Sequence, residues 1–287
     1  MNSDKKPVTA FVMAGGGSLG AVEVGMLQAL LAWGEVPNFV VGASAGAING
    51  AFFAAEPTLA GVDKLQQVWC TLTRRDIFPL NLESVFALLT RRGHLVDSSG
   101  LRRLLERHLP YRQLENTAVP IHIVASDMGT GDEVLISAGP VIDAVLASAA
   151  IPGVFPPVKI NGQWLVDGGV ANNTPISTAI RLGATRVLVL PTGFACSAKQ
   201  VPNSAVARAM HALSLLVARQ LVKDVERFAD VVDLRIVPSL CPLNQSPYDY
   251  SAAAGLIARA ASNTQQWLES GGLDRMVVPG PLREHHH

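Results

Sequence analysis

FVVGASAGAINGAFFAA, residues 39–55, decides the fold. Phe39, Val40 and Val41 favour a strand, Gly42-Ala43-Ser44-Ala45-Gly46 makes a turn of small residues, and residues 47–55 read as a small-residue helix. The same unit precedes it. Residues 8–14 are a short β-favouring run, Gly15-Gly16-Gly17-Ser18-Leu19-Gly20 is a second glycine turn, and residues 21–33 are an Ala/Leu-rich helical stretch broken only by Glu23, Gly25 and Gln28. So apolar a helix must be buried almost all round. Two strand-turn-helix units in succession predict an α/β protein with a mainly parallel wound sheet, covered by helices on both faces.

Further along, residues 121–126, 186–191 and 231–237 are strand candidates, and 141–149, 205–228 and 251–269 are helix candidates. Residues 158–166 differ. Asn161-Gly162 between VKI and QWLV is a strong type I′ hairpin signal, and this hairpin would carry Asp167 at its end. Residues 74–109 are the least regular. Leu101, Leu104, Leu105 and His108 share a helical face after a capping region at Asp97-Ser98-Ser99, and the segment reads either as a lid or as helices packed on the sheet edge. No linker or internal repeat interrupts the chain, so 1–287 reads as one domain.

Composition narrows the class. The chain has 287 residues, 49% of them hydrophobic and 16% charged, which is enough for a large core and argues against disorder. Lys plus Arg and Asp plus Glu both number 23, so nothing draws the chain towards nucleic acid or anionic lipid. Any transient membrane contact would be apolar. Cys70, Cys196 and Cys241 are scattered and lack metal-site or disulfide spacing, which predicts reduced core residues. VTAFVMA runs straight into glycines and reads as a strand, not as a signal core. No uninterrupted apolar run reaches the ~18 residues of a membrane span, so a cytoplasmic protein is expected. The final EHHH reads as part of an affinity tag.

Chemistry concentrates at the turns. Gly42-Ala43-Ser44-Ala45-Gly46 is a G-x-S-x-G between strand and helix, the context of a nucleophile elbow, with Ser44 exposed above the sheet edge at a helix N-terminus. Residues 15–20 have two readings. As G-x-G-x-x-G they suit a dinucleotide, but that needs an acid at the carboxyl end of the second strand, and Glu35 lies before the strand. Alternatively, the N–H groups of Gly15, Gly16 and Gly17 form an oxyanion hole beside Ser44, because parallel neighbouring strands bring both turns to one sheet edge. A serine nucleophile needs a base. His94, His108, His122 and His211 are poor candidates, and only His211 follows the serine in the order of an α/β-hydrolase. Asp167-Gly168-Gly169 instead offers a carboxylate with space around it.

Together and in this order, GGGSLG (15–20), GASAG (42–46), ASAAIPGVFPPV (147–158), Asp167-Gly168-Gly169 and NNTP (172–175) resemble the patatin-like phospholipase family over residues 8–186. The resemblance implies a three-layer α/β/α fold and a Ser44/Asp167 dyad with the glycine-loop amides as oxyanion hole. It also implies a lipid or other acyl-ester substrate and no metal or cofactor. Leu19 stands where many relatives carry a basic residue, and Ser148 and Pro152 match a motif that supports the site. The expected activity is acyl-ester hydrolysis through an acyl-enzyme, which requires Asp167 to be partly desolvated so that it becomes a stronger base. A hydrolase of small esters or thioesters, and a nucleotide- or lipid-binding protein, are the alternatives. Oligomeric state is not encoded in any of these features.

Overall fold

The structure, a computed structural model, describes residues 6–77, 96–193, 205–240, 243, 245–246 and 248–274. The two expected units open the fold: β1 (Thr9–Met13) and α1 (Ala21–Trp33), then β2 (Phe39–Ala43) and α2 (Ala45–Ala55). Next come α3 (Leu59–Thr71), α4 (Arg74–Ile77), α5 (Ser99–His108), β3 (Ile121–Asp127), β4 (Glu133–Ile136) and α6 (Val141–Ser148). The hairpin β5 (Val158–Ile160) and β6 (Gln163–Val166) leads into α7 (Gly169–Asn172), α8 (Ile176–Arg181), β7 (Arg186–Leu190), α9 (Ala205–Phe228), β8 (Asp233–Ile236) and α10 (Ala253–Glu269).

Among the described residues eight strands form one sheet in the order β5-β6-β3-β2-β1-β7-β8, with β4 also paired to β3. Its centre is parallel: β1 lies between β2 and β7, β2 pairs with β3, and β7 with β8. The edge beyond β3 is antiparallel, so the sheet is mixed. Alternation of side chains fills both faces. Phe11, Met13, Val40, Ile123, Leu188 and Leu190 point into the core shared with α1, α2, α3, α6 and α10. Ala10, Val12, Val41, Val124, Val187 and Val189 point to the other face, under α8 and the Leu221 and Val225 side of α9. The result is a three-layer α/β/α sandwich.

The hairpin is as expected, with Asn161 at φ 50° and Gly162 at φ 86° in its turn. Several expectations need adjusting. Helix α2 begins two residues earlier than read, because the Ser44 carbonyl already accepts from the Ala47 and Ile48 amides. The last strand shortens to β8, since Val231 is exposed in the turn after α9. Helix α5 starts as expected, with the Asp97 carboxylate accepting the Ser99 N–H at 2.6 Å, but His108 at its end is exposed and not on the packed face. Cys70 is exposed, which corrects the core reading: it lies on the solvent side of amphipathic α3, whose Val62, Leu65, Val68 and Trp69 are buried. Cys196 and Cys241 lie outside the described residues, as do residues 284–287. Helix α1 is buried as expected except near its end, where Trp33 is exposed.

Among the described residues no helix is long and apolar enough to cross a membrane.

Candidate active site

Ser44 sits between the end of β2 and the first turn of α2, with φ 52° and ψ −118°. A non-glycine residue in that region is strained by about 1–3 kcal/mol. The surroundings hold it there. The Ser44 N–H donates to Ser148 Oγ at 2.9 Å, and the Ser148 hydroxyl donates to the Val124 carbonyl at 2.5 Å. Ser148 thus ties the elbow to β3. Replacing it with Ala would leave a buried N–H and a buried carbonyl unpaired, and we expect Ser148→Ala to lose about 1–3 kcal/mol of stability. A thermal melt lowered by several degrees is the check.

Asp167 arrives from the other direction, at the end of the β5–β6 hairpin, and the fold brings it against Ser44. The serine hydroxyl donates to Asp167 Oδ2 at 2.7 Å. The other carboxylate oxygen, Oδ1, accepts the Gly169 N–H at 2.7 Å, and the Asp167 carbonyl accepts from Ser126 Oγ at 2.8 Å. Asp167 is buried, and desolvation pushes its carboxyl up to about 6, against the opposing pull of the Ser44 and Gly169 hydrogen bonds. This is the desolvated aspartate that the sequence reading required.

The glycine turn closes the other side. Carbon placed on Gly15 would lie 3.0 Å from Ser44 Cβ, so this loop is packed directly on the elbow. The Gly15 N–H donates to the Asn173 carbonyl at 3.0 Å, which removes it from the three candidate oxyanion donors and leaves Gly16 and Gly17. Gly17, at φ 59°, lines the pocket that opens on Ser44. That pocket is mostly apolar, walled by Ile48, Phe52, Leu65, Trp69, Leu101 and Phe155. Ile77 and Leu104 also line it, so the described ends of the irregular segment form part of its wall. Residues 78–95, on which the lid reading depends, lie outside the described residues.

Neither of the two histidines with described side chains, His108 and His122, joins this cluster. His122 Nδ1 lies 2.7 Å from Ser137 Oγ, with its ring T-shaped against that of Phe39, and burial lowers its pKa. Burial also lowers that of His108 at the end of α5. His94 and the His211 side chain lie outside the described residues. Glu35, the acid weighed for a nucleotide ribose, is paired with Arg186 at 2.5 and 3.1 Å. Arg186 opens β7, so the pair sits at the end of the sheet opposite Ser44. Two residues were given no role by the sequence reading: Asn173, quoted only as part of NNTP, and Thr192. Asn173 Nδ2 and Thr192 Oγ1 both donate to the Gly15 carbonyl, at 3.2 and 2.8 Å. Thr192 was legible in principle, because residues just past the carboxyl end of a parallel strand line the crevice of such sheets.

Residues 11–180 match the patatin-like phospholipase family model. The chain belongs to that family. Among curated relatives of this patatin-like chain, an uncharacterized NTE family protein of Mycobacterium tuberculosis is 35% identical over 175 residues, 57% of this chain and 27% of the relative. The rat patatin-like phospholipase domain-containing protein 7 is 27% identical over 186 residues, 64% of this chain and 13% of the relative. The patatin-like chain therefore spans about a quarter or less of the length of these relatives. Among solved structures, human GIVD cytosolic phospholipase A2 in complex with a methyl gamma-linolenyl fluorophosphonate inhibitor superposes with a TM-score of 0.52. It shares 13% identity, with 96% of this chain and 60% of that chain covered, a likeness of fold.

Proposed function

We propose that this chain is a serine acyl hydrolase acting on lipid-type esters, with Ser44 as nucleophile, Asp167 as general base, and the Gly16 and Gly17 amides as oxyanion donors. The observation that carries the proposal is the 2.7 Å hydrogen bond from Ser44 Oγ to a buried Asp167, two residues 123 positions apart in sequence. In the cycle, Asp167 takes the Ser44 proton as Oγ bonds to the ester carbonyl carbon, and the carbonyl oxygen becomes an oxyanion facing the glycine amides. Collapse of this intermediate expels the alcohol, which leaves with the proton from Asp167. Water, giving a proton to Asp167, then attacks the acyl-enzyme. The second collapse releases the acid and returns the proton to Ser44 Oγ.

An acid with a pKa near 6 suits this role better than one near 4, because at neutral pH it is ionised yet basic enough to accept a proton in the transition state. The apolar pocket beside Ser44 supports an acyl chain as the group bound there. Within this reading the chain acts as a single hydrolase domain, and any contact with a lipid surface is apolar and transient.

An alkyl fluorophosphonate probe tests the proposal. We expect covalent labelling that is lost in Ser44→Ala, and turnover of p-nitrophenyl esters that rises with acyl length. Absence of labelling would overturn the hydrolase reading. Labelling with a preference for acetyl over long acyl esters would instead support a small-ester or thioester hydrolase at the same site.

A further inference from the structure

Among the described residues the Gly15–Gly16 peptide is held from one side only. Its carbonyl accepts two hydrogen bonds, from Thr192 Oγ1 at 2.8 Å and from Asn173 Nδ2 at 3.2 Å. The preceding N–H, that of Gly15, is fixed on the Asn173 backbone carbonyl at 3.0 Å. Both residues are buried, Thr192 at 3% exposure and Asn173 at 9%, so water does not compete for these bonds. A trans peptide is planar, with its N–H directed opposite to its C=O. Thr192 follows β7, which lies on one side of β1, whereas Ser44 follows β2 on the other. A carbonyl drawn towards the β7 side therefore turns the Gly16 N–H towards the β2 side, where the serine is.

Glycine residues on both sides of this peptide leave it little intrinsic preference for one orientation. If it flipped, the Gly15 carbonyl oxygen would face the position where the oxyanion forms, and a donor would become a repulsive dipole. Thr192 also fills the space beside Gly16: carbon added there would overlap the Thr192 Cβ and Oγ1 atoms. We propose that Thr192 and Asn173 are positioning residues that lock the Gly15–Gly16 peptide with its N–H aimed at the Ser44 site, so that the oxyanion hole is assembled before substrate binds. The inference rests on the hydrolase reading above and goes beyond it, since it assigns a transition-state role to two residues that do not line the pocket at Ser44.

Thr192→Val keeps the side-chain shape and removes the donor, and Thr192→Ser keeps the donor and removes the methyl group. For a long-chain p-nitrophenyl ester, we expect Thr192→Val to lower kcat about 10- to 100-fold with KM nearly unchanged, less than the 10²–10³ of deleting a donor outright because Asn173 remains. The affinity for an alkyl trifluoromethyl ketone, which forms a tetrahedral oxyanion on the serine, should fall by a similar factor. Thr192→Ser should restore both. A structural role alone would shift the melting temperature without this selective loss of analogue affinity. Should Thr192→Val fold poorly, Thr192→Ala paired with the Ser variant gives the same comparison. If Ser44 labels with the fluorophosphonate in every variant and neither kcat nor analogue affinity changes in Thr192→Val, the lock is overturned while the hydrolase reading stands. A wild-type protein that does not label overturns both.

Discussion

Asp167→Asn is expected to slow fluorophosphonate labelling and ester turnover at pH 7.5 by about 10²- to 10⁴-fold, the usual contribution of a positioned general base. The same substitution is expected to make the protein more stable at that pH. The reason is linkage. Burial raises the Asp167 carboxyl from its ordinary 3.8 to about 6, so the folded chain binds this proton more tightly than the unfolded chain does. Between those two values the unfolded state has released a proton that the folded state keeps, and stability falls as pH rises through the window. Two units correspond to about 3 kcal/mol of cost once the group is ionised. An asparagine there carries no charge and can still accept the Gly169 N–H, so most of that cost disappears. Thermal melts should therefore favour Asp167→Asn at pH 7.5 and converge with wild type near pH 4. For the proposed ester turnover of the wild-type chain, kcat/KM should climb through a pH of about 6 and level off above it. A wild-type profile flat across that range, with the Asp167→Asn variant fully active, would exclude Asp167 as the base.

Gly46→Ala is the second substitution with a large expected effect, and its sign is opposite to helix propensity. Gly46 is the second residue of α2, where an exposed Gly→Ala change would stabilise by about 0.5–1 kcal/mol. Here a methyl group would overlap the Met13 carbonyl and approach the Ala14 N, at the end of β1 where the glycine loop begins. The obstacle is backbone, not a side chain that can rotate away. Either α2 or the glycine loop must move. We expect a loss of about 3 kcal/mol or more, in the range of severe overpacking. Whatever folds should be slower by about 10²-fold, because Ser44 and the proposed oxyanion donors Gly16 and Gly17 sit on the two parts being pushed apart. Gly255→Ala, on α10 with open space around the added carbon, is the control and should be neutral or slightly stabilising. Equal melting temperatures for the two variants would show that the α2–β1 contact is looser than described.

The sequence determined the elements whose signals are local. The Gly42–Gly46 elbow, the Asn161-Gly162 turn and the long apolar α1 each follow from which backbone conformations and which periodicities their own residues allow. The order of motifs was enough to nominate Ser44 and Asp167. It was not enough for α3, β4, α7 and α8. The α3 start, capped by Thr58 Oγ1 accepting the Gly61 N–H at 3.1 Å, carries only a weak signal, and β4 is four residues long. Cys70 faced outwards because the amphipathic turn of α3, not the residue type, set its direction.

What only the tertiary structure decided was the electrostatics and the aim of the site. Residues 44, 148, 167, 173 and 192 meet because the sheet places the ends of β2, β1 and β7 and the β6 corner at one edge. The raised pKa of Asp167 depends on which groups exclude water from it, and the direction of the Gly15–Gly16 peptide depends on donors 158 and 177 positions away. Desolvation and hydrogen-bond direction are properties of the assembled surroundings. No local pattern encodes them, because the chain reaches those neighbours only once it has folded.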